Sequence, residues 1–335
     1  MLRISLGGFF SHILRYSTAS CSVVHLLGSL TRRKPMSKPK KVRLRAAATD
    51  GIVFVHTDGM KPMARQAKQH LKKLGVTNVT LCPLELRRFD NGEVKPKILG
   101  NVREGRVYLF YDFRPGTPND DVVNLYLVLD ALHLADVCDV TLVAPYLPYL
   151  RQDRKDESRT PISGASIIRL LQSTPSLKRV VTFEMHADQM QSVFEIPTDH
   201  LPGRIVIVPW IKRRFAKNMD EVVIVSPDAG SGKRVEKLTR LLDTGLDYAT
   251  LKKKRDRNGV EVTSFVDADV EDKICIINDD MIDTGGTIIK AAHVLYDHGA
   301  KAVILSATHA VFSPSKTMSK TARSLLPMRV YPGRN

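Results

Sequence analysis

A run of acidic and small residues follows a strand-type pattern late in the chain. In ICIINDDMIDTGGT, residues 274–287, apolar residues lead into two adjacent acids and then into a helix pattern. Neighbouring carboxylates can accept hydrogen bonds from two sugar hydroxyls. Free N–H groups at a helix start, beside small residues, can surround a phosphate. The run therefore predicts a sugar-phosphate site, with a capped helix after an acidic turn as the alternative. Its candidate residues are Asp279, Asp280, Asp283, Thr284, Gly285, Gly286 and Thr287.

A second candidate site is the loop PYLPYLRQDRKDESRTPIS at residues 145–163. It follows the strand-type run DVTLVAPY and mixes arginines and a lysine with acids. Arginine binds phosphate oxygens through a fork of N–H donors, so the loop favours a phosphorylated ligand. A solvated loop whose charges pair with each other is the alternative.

Three further stretches could take part in the same chemistry. His186 follows the run RVVTFE, and Asp228 follows EVVIV. The stretch TLKKKRDRNGVEV, which starts at residue 250, is strongly basic. A lone histidine is more often structural than a ligand, and a basic stretch is more often a solvated hairpin tip. The run GSGKR is not a P-loop, because the glycine spacing is absent and Arg234 stands where Ser or Thr is required.

Strand-type and helix-type patterns alternate after Asp50. The strands and helices that they predict must position the candidate site residues. Alternation of this kind predicts an α/β fold with mainly parallel sheets flanked by helices, in which strand C-termini share one edge where ligands bind. We expect a leader at residues 1–49 and two domains, 51–203 and 204–335. The candidate strands start at residues 51, 106, 139, 179, 221, 273 and 301, and the candidate helices at 62, 120, 163, 232 and 287.

Charge is distributed unevenly along the 335 residues. The net charge is +16, but residues 1–49 hold ten Lys or Arg and no acid, which leaves +6 for the rest. The excess therefore indicates a leader and argues against a nucleic-acid partner. An Arg-bearing, Ser-rich, acid-free leader is typical of a mitochondrial transit peptide, with a cytoplasmic protein that carries a basic tail as the alternative. No apolar run is long enough to predict a membrane span, and the four scattered cysteines have no metal-type spacing.

Four motifs, in this order, resemble the class I ribose-phosphate diphosphokinase family: RQDRKDESRTPIS, FEMHADQMQSVF, SPDAGSGKR and DDMIDTGGT. The resemblance runs from about Gly51 to Ser313. It implies two phosphoribosyltransferase-type (type I) domains, an N-terminal one for ATP and a C-terminal one for ribose 5-phosphate. It also implies transfer of diphosphate from MgATP to ribose 5-phosphate, which gives phosphoribosyl pyrophosphate and AMP.

The resemblance implies roles for individual residues as well. Lys253 and Arg255 would be catalytic, on a loop that closes over the phosphates. Mg²⁺ would be held by His186, Asp228 and Glu184, the last of which replaces an Asp that is usual in the family. In the family the segment that starts at Phe89 reaches a neighbouring subunit, which implies a homo-oligomer built from dimers, up to a hexamer, or a hetero-oligomer with paralogues. The implied ATP-binding residues are Phe89, Asn91, Glu93, Arg151, Gln152 and Asp156.

The end of the chain departs from the family pattern. After residue 313 the sequence is basic, acid-free and without clear periodicity, so we expect the second domain to be truncated and atypical there. Two other functions stay open. One is a non-catalytic regulatory subunit of the same family. The other is a phosphoribosyltransferase, which would leave the RQDR loop and His186 without a role.

Overall fold

A computed structural model describes residues 51–114, 116–228, 230–242, 248–255, 261–266 and 269–312, with only the backbone for 252–255 and 261–266. The predicted leader, the tip of the basic stretch at 256–260 and the atypical residues from 313 onward lie outside the described residues. Among the described residues, no helix has both the length and the apolar character to cross a bilayer.

The first half of the chain builds a mainly parallel sheet. The described part has seven strands in the order β3-β2-β1-β4-β5-β6-β7, and all neighbours pair in parallel except β2 and β3. The strands are β1 (Ile52–His56), β2 (Val79–Arg88), β3 (Val94–Ile98), β4 (Arg106–Phe110), β5 (Asp139–Val143), β6 (Leu177–Phe183) and β7 (Thr198–Leu201).

Helices cover both faces of this sheet, because successive residues of its central strands point to opposite sides. Val53 and Val55 of β1 pack under α2 and α3, whereas Phe54 packs under α1. The sheet is therefore buried on both sides, which fits its valine-rich strands. The helices are α1 (Lys61–Lys73), α2 (Pro118–Leu134) and α3 (Ser163–Gln172).

The second half repeats this plan with a five-stranded sheet within the described residues, in the order β10-β9-β8-β11-β12. Its neighbours pair in parallel except the antiparallel β9–β10 hairpin. The strands are β8 (Val222–Ser226), β9 (Tyr248–Arg255), β10 (Glu261–Val266), β11 (Ile274–Ile282) and β12 (Ala302–Ala310). Helices α4 (Arg204–Arg214), α5 (Gly232–Leu242) and α6 (Gly286–Asp297) cover its two faces.

The predicted fold class is confirmed: this is an α/β protein with two mainly parallel sheets flanked by helices. Helix α4 joins the two halves, because Ile205 and Val206 pack on the core of the first sheet and Ile207 and Ile211 on that of the second. The strand C-termini of both sheets can therefore face one another across this connection.

Candidate active site

One open cavity of about 1350 Å³ lies where the C-terminal strand ends of the two sheets meet. Both halves line it, as expected for parallel sheets that bind ligands at this edge. The predicted residues that it brings together are Arg151, Gln152, Asp156, Glu184, His186, Asp228, Asp279, Asp280, Asp283, Thr284, Gly285, Gly286 and Thr287. Most residues predicted from separate motifs thus share one site.

The acid pair near the end of β11 is held by side chains from both halves. Nη1 of Arg234, on α5, lies 3.3 Å from Oδ1 of Asp279 and 3.4 Å from Oδ1 of Asp280. Nδ1 of His186, which follows β6 in the other half, lies 2.7 Å from Oδ2 of Asp280. These contacts set the pair in a fixed place at the floor of the cavity.

The two carboxyl groups have opposite pKa shifts. Burial, together with its neighbour Asp280, raises the pKa of Asp279. Burial also acts to raise the pKa of Asp280, but the hydrogen bonds with His186 and Asp279 and the charge of Arg234 outweigh it, so this pKa lies below its ordinary value. The hydrogen bond with Asp280 raises the pKa of His186 in return. Asp280 is therefore the ionised member of the pair at neutral pH.

The turn before α6 has the form expected of a phosphate site. Gly285 caps the helix with a φ of 77°, in the left-handed region that a residue without a Cβ adopts readily. The residues that follow open the first turn, where backbone N–H groups have no partner within the helix. Thr284 and Thr287 add hydroxyl donors beside these N–H groups at the cavity wall. The turn can therefore surround an anion.

The Arg-rich loop reaches this turn from the other half. Nη1 of Arg151 lies 2.8 Å from Oδ2 of Asp283, so two residues predicted to bind different substrates form an ion pair across the cavity. Gln152 and Asp156 line the same wall. Nearby, Nε2 of Gln189 donates to Oδ2 of Asp153 at 2.6 Å, which ties the loop to the segment after His186.

The three predicted metal ligands lie in the cavity with different surroundings. Nδ1 of His186 contacts Asp280, so a metal ion would bind at Nε2, and an oriented imidazole of this kind suits metal binding. Oδ1 of Asp228 accepts the N–H of Ser231 at 2.9 Å. The carboxylate of Glu184 contacts Arg234 and Gly203. No cluster of three or more His, Cys, Asp or Glu side chains suited to a metal occurs among the described residues.

Mg²⁺ usually keeps several waters and takes one or two protein carboxylates together with substrate phosphates. A site with few protein ligands fits that preference, so the residues present suit a magnesium ion that arrives with a nucleotide. The ligand assignments themselves stay predictions.

Three of the predicted residues that the structure describes are not in the cavity lining. Phe89, Asn91 and Glu93 form the tip of the β2–β3 hairpin, where the Phe89 N–H donates to the Glu93 carbonyl at 2.8 Å. Phe89 is 52% exposed. Lys253 and Arg255 belong to β9, and their side chains lie outside the described residues.

Sequence reasoning missed the residue at the centre of the site, Arg234. It contacts Glu184 as well as Asp279 and Asp280. Its presence six positions after Asp228, on the first turn of a helix that starts at a strand end, was the available signal. His309 and Thr308 of β12, which contact Glu184, had no such signal.

Comparisons with known proteins agree with this geometry. The model of the N-terminal domain of ribose phosphate pyrophosphokinase matches residues 52–174, and that of the phosphoribosyl transferase domain matches residues 199–326. Ribose-phosphate pyrophosphokinase 1 of Candida albicans is 38% identical over 266 residues, which are 79% of each chain. The Shewanella oneidensis ribose-phosphate pyrophosphokinase is 40% identical over 227 residues, which are 68% of this chain and 70% of the relative.

A solved structure has the same architecture. The phosphoribosylpyrophosphate synthetase from Mycobacterium smegmatis aligns with a TM-score of 0.69 and 31% identity, over 79% of this chain and 83% of that one. The shared fold, the two matching domain models and the relatives that match along most of their length together place this chain in the ribose-phosphate pyrophosphokinase (diphosphokinase) family.

Proposed function

We propose that this chain is a ribose-phosphate diphosphokinase, which converts ATP and ribose 5-phosphate to phosphoribosyl pyrophosphate and AMP. The observation that carries the proposal is the cavity between the halves. It joins the acid pair and the phosphate-type turn of the second half to the Arg-rich loop and His186 of the first. A site that takes one sugar phosphate alone would not need both.

Ribose 5-phosphate would lie against the second half. Asp279 and Asp280 are placed to accept hydrogen bonds from two ribose hydroxyls, and the turn from Asp283 to Thr287 is placed to surround the 5-phosphate. Binding of the phosphate at this turn would compete with Asp283 for the guanidinium of Arg151, because the two side chains are paired in the free protein.

ATP would lie against the first half. Arg151 supplies forked donors for its phosphates, and Gln152 and Asp156 lie on the same wall. Phe89, Asn91 and Glu93 would bind adenine in the cavity of a second subunit, Phe89 by stacking and the other two through the polar edges of the base. This assigns the chain to an oligomer built from dimers, in which each site is completed by a neighbour.

His186 and Asp228 would hold the Mg²⁺ of the nucleotide. Bound there, Mg²⁺ would neutralise phosphate charge and orient the phosphate oxygens. An oriented imidazole and one carboxylate would leave the remaining coordination positions of the ion to phosphate oxygens and water.

The transfer itself makes one bond and breaks one. The 1-hydroxyl oxygen of ribose 5-phosphate attacks the β-phosphorus of ATP, and the bond from that phosphorus to the oxygen of the α-phosphate breaks, so AMP leaves with the electron pair. The hydroxyl proton passes to solvent, since no side chain in the described cavity is assigned as a base. Such reactions depend on alignment and neutralisation of charge, which Arg151, Lys253 and Arg255 would supply.

The test is AMP formation by the purified protein from MgATP, with and without ribose 5-phosphate. We expect AMP that depends on the sugar phosphate. A regulatory subunit would form none, and a phosphoribosyltransferase would instead release diphosphate with a nucleobase acceptor. Either result would overturn the proposal.

The catalytic assignment of the basic stretch is tested beside it. Lys253→Ala and Arg255→Ala should each lower kcat by about 10²-fold, because under this assignment each removes a charge that would neutralise the transferring phosphates. Lys178→Ala, which removes an exposed charge on β6, is the matched control and should not change turnover. Full turnover in both of these β9 variants would show that the assignment is wrong.

We also propose a mitochondrial location, supported by the composition of residues 1–49. Fusion of these residues to a fluorescent protein tests it, and uniform cytoplasmic fluorescence would contradict it.

A further inference from the structure

Glu184 joins the two halves of the molecule at the cavity wall. Its Oε1 lies 3.0 Å from Nε of Arg234, and its Oε2 accepts the N–H of Gly203 and, at 3.2 Å, the hydroxyl of Thr308. Gly203 precedes α4, Thr308 lies on β12 and Arg234 on α5. The Glu184 carboxylate, directly after β6 of the first sheet, thus contacts α5, β12 and the residue that precedes α4.

The backbone of Glu184 has an uncommon conformation. Its φ is 25°, which is rare for a residue with a side chain and persists where the surroundings hold it. The Glu184 N–H donates to the Leu201 carbonyl at 2.9 Å, and Nε2 of His309 lies 3.0 Å from the Glu184 carbonyl, to which it donates. Contacts to both backbone and side chain therefore fix the direction of the carboxylate.

Arg234 links Glu184 to the acid pair, so the fixed position of Glu184 also restricts the acids. The guanidinium presents Nε to Glu184 and Nη1 to Asp279 and Asp280, so the edge that contacts Glu184 determines where the other edge points. The group is planar and rigid, and its donors diverge in fixed directions. Movement of Glu184 would therefore turn the donors that hold the two acids.

We propose that Glu184 is a positioning residue: through Arg234 it holds Asp279 and Asp280 in register with His186, so that the pair is preformed for the hydroxyls of the sugar phosphate. This inference rests on the proposed function. It gives Glu184 a role other than metal binding.

Occupancy of the carboxylate favours positioning over metal binding. Oε1 of Glu184 forms an ion pair with Arg234, Oε2 accepts hydrogen bonds from Gly203 and Thr308, and the side chain is 11% exposed. A metal ion would have to displace Arg234 from Oε1 or the Gly203 N–H from Oε2. Loss of the second contact would leave the buried N–H of Gly203 unpaired, and loss of the first would break the ion pair with Arg234, so both are unfavourable.

The experiment compares Glu184→Gln and Glu184→Asp with Asp199→Asn. Asp199→Asn is the matched control, because Arg179 and Asp199 form an ion pair of the same length, 3.0 Å, with similar exposure (24% and 15%, against 22% and 11%) outside the cavity lining. Three quantities are measured for each variant: KM for ribose 5-phosphate, KM for ATP, and the magnesium concentration that gives the half-maximal rate. Thermal unfolding with and without ribose 5-phosphate gives a readout that does not need turnover.

We expect Glu184→Gln to raise KM for ribose 5-phosphate about tenfold and to leave KM for ATP and the magnesium requirement within about twofold. Glu184→Asp keeps the charge with a shorter reach and should fall between wild type and Glu184→Gln. Asp199→Asn should change neither constant.

A raised magnesium requirement with an unchanged KM for ribose 5-phosphate would make Glu184 a metal ligand and overturn the inference. So would equal effects on both substrates, or no effect. If the wild type forms no AMP, the proposed function fails by itself. The inference then stands if ribose 5-phosphate raises the unfolding temperature of wild type and of Asp199→Asn but not of Glu184→Gln, and falls otherwise.

Discussion

Two adjacent carboxyl groups occupy a largely buried site here because polar partners face them from two directions. Arg234 contacts both acids and His186 contacts Asp280, which is 4% exposed. Without these contacts burial would raise the pKa of Asp280 as it raises that of Asp279, since burial favours the neutral form. The contacts of Asp279 and Asp280 with Arg234 and His186 are already formed before the sugar binds. A ribose hydroxyl can therefore donate to either acid without a large rearrangement of these side chains.

His200 makes the stability of the protein depend on pH. Its Nε2 accepts the N–H of Met185 at 2.9 Å, so this nitrogen carries no proton in the folded state. Burial lowers the pKa of His200, against the opposing charges of Asp188 and Glu184. The unfolded chain therefore binds a proton first as the pH falls. The contribution of neutral His200 to the free energy of unfolding is complete above the ordinary pKa of histidine, about 6.5. It is lost as the pH falls towards the lower pKa that His200 has in the folded protein.

We predict that His200→Gln reduces this pH dependence, because the Gln amide oxygen can accept the same N–H and does not titrate. The measurement is the free energy of unfolding in urea at pH 5.0 and at pH 7.5. We expect the difference between the two values to be smaller in His200→Gln than in wild type. His133→Gln, at an exposed position on α2, is the control and should keep the wild-type difference. An equal pH dependence in His200→Gln and wild type would contradict the prediction.

At the scale of elements, the start of α6 shows how one backbone angle shapes a binding turn. Gly285 has a left-handed conformation, and a Cβ added there would lie 3.3 Å from Cδ1 of Ile289. A side chain in this conformation costs about 1–2 kcal/mol. The strain can be relieved by a change of the turn, which would also move the N–H groups that face the cavity.

We predict that Gly285→Ala lowers the free energy of unfolding by about 1–2 kcal/mol and weakens ribose 5-phosphate binding more than ATP binding. Urea unfolding and the two KM values measure these effects. Gly232→Ala, at the start of α5, is the control, since a Cβ there meets no atom within 4 Å and φ is not positive. Equal losses in the two variants would show that the angle at Gly285 has no special role.

The sequence predicted those strands and helices whose local hydrophobic pattern matches the way they pack in the folded protein. All seven candidate strands and five candidate helices occur in the structure. Helix α4 was missed because RIVIVPW has strand-like residues and a proline at 209, while its helical form depends on packing against both cores. Strand β2 was missed because Pro83 interrupts it. The structure places Pro83 where β2 stops pairing with β1 and starts pairing with β3, so its missing N–H is tolerated.

The candidate site was predictable as a set of strand-end motifs, but its internal contacts were not. Each motif is local, and parallel topology brings strand ends to one edge, so their meeting could be expected. The links from Arg234 to Glu184 and from His186 to Asp280 join residues 50 and 94 positions apart, and they depend on how the two halves face each other. No spacing rule within one element encodes such a contact.

At the scale of the whole molecule, the tip of the β2–β3 hairpin does not contribute to the lining of the chain's own cavity. Its pairing begins at Leu84, after the last β1 residue has paired with Pro83, so it projects past the end of the neighbouring strand. Arg88 holds it to α2 through Asp120 at 2.8 Å. Phe89 is exposed at this projecting tip, so it is available to stack on a base in the site of another chain, as the proposed oligomer requires.

We therefore predict complementation between two defective chains. Phe89→Ala removes base stacking and should lower activity by about 10–100-fold, and Asp280→Asn damages the sugar site of its own cavity. In a mixed dimer, the intact cavity of the Phe89→Ala chain receives the intact hairpin of the Asp280→Asn chain. Random dimers from equal amounts of the two chains would then recover about a quarter of wild-type activity, because half are mixed and each has one complete site.

The measurement is ribose 5-phosphate-dependent AMP formation after the two chains are unfolded and refolded together, with mixed assembly checked by tags of different mass. A chain that carries both substitutions, refolded with the Asp280→Asn chain, is the control. It should recover nothing, since neither chain then offers an intact acid pair. Mixed oligomers without recovered activity would mean that the hairpin of one chain does not complete the cavity of the other, which would contradict the proposed oligomer.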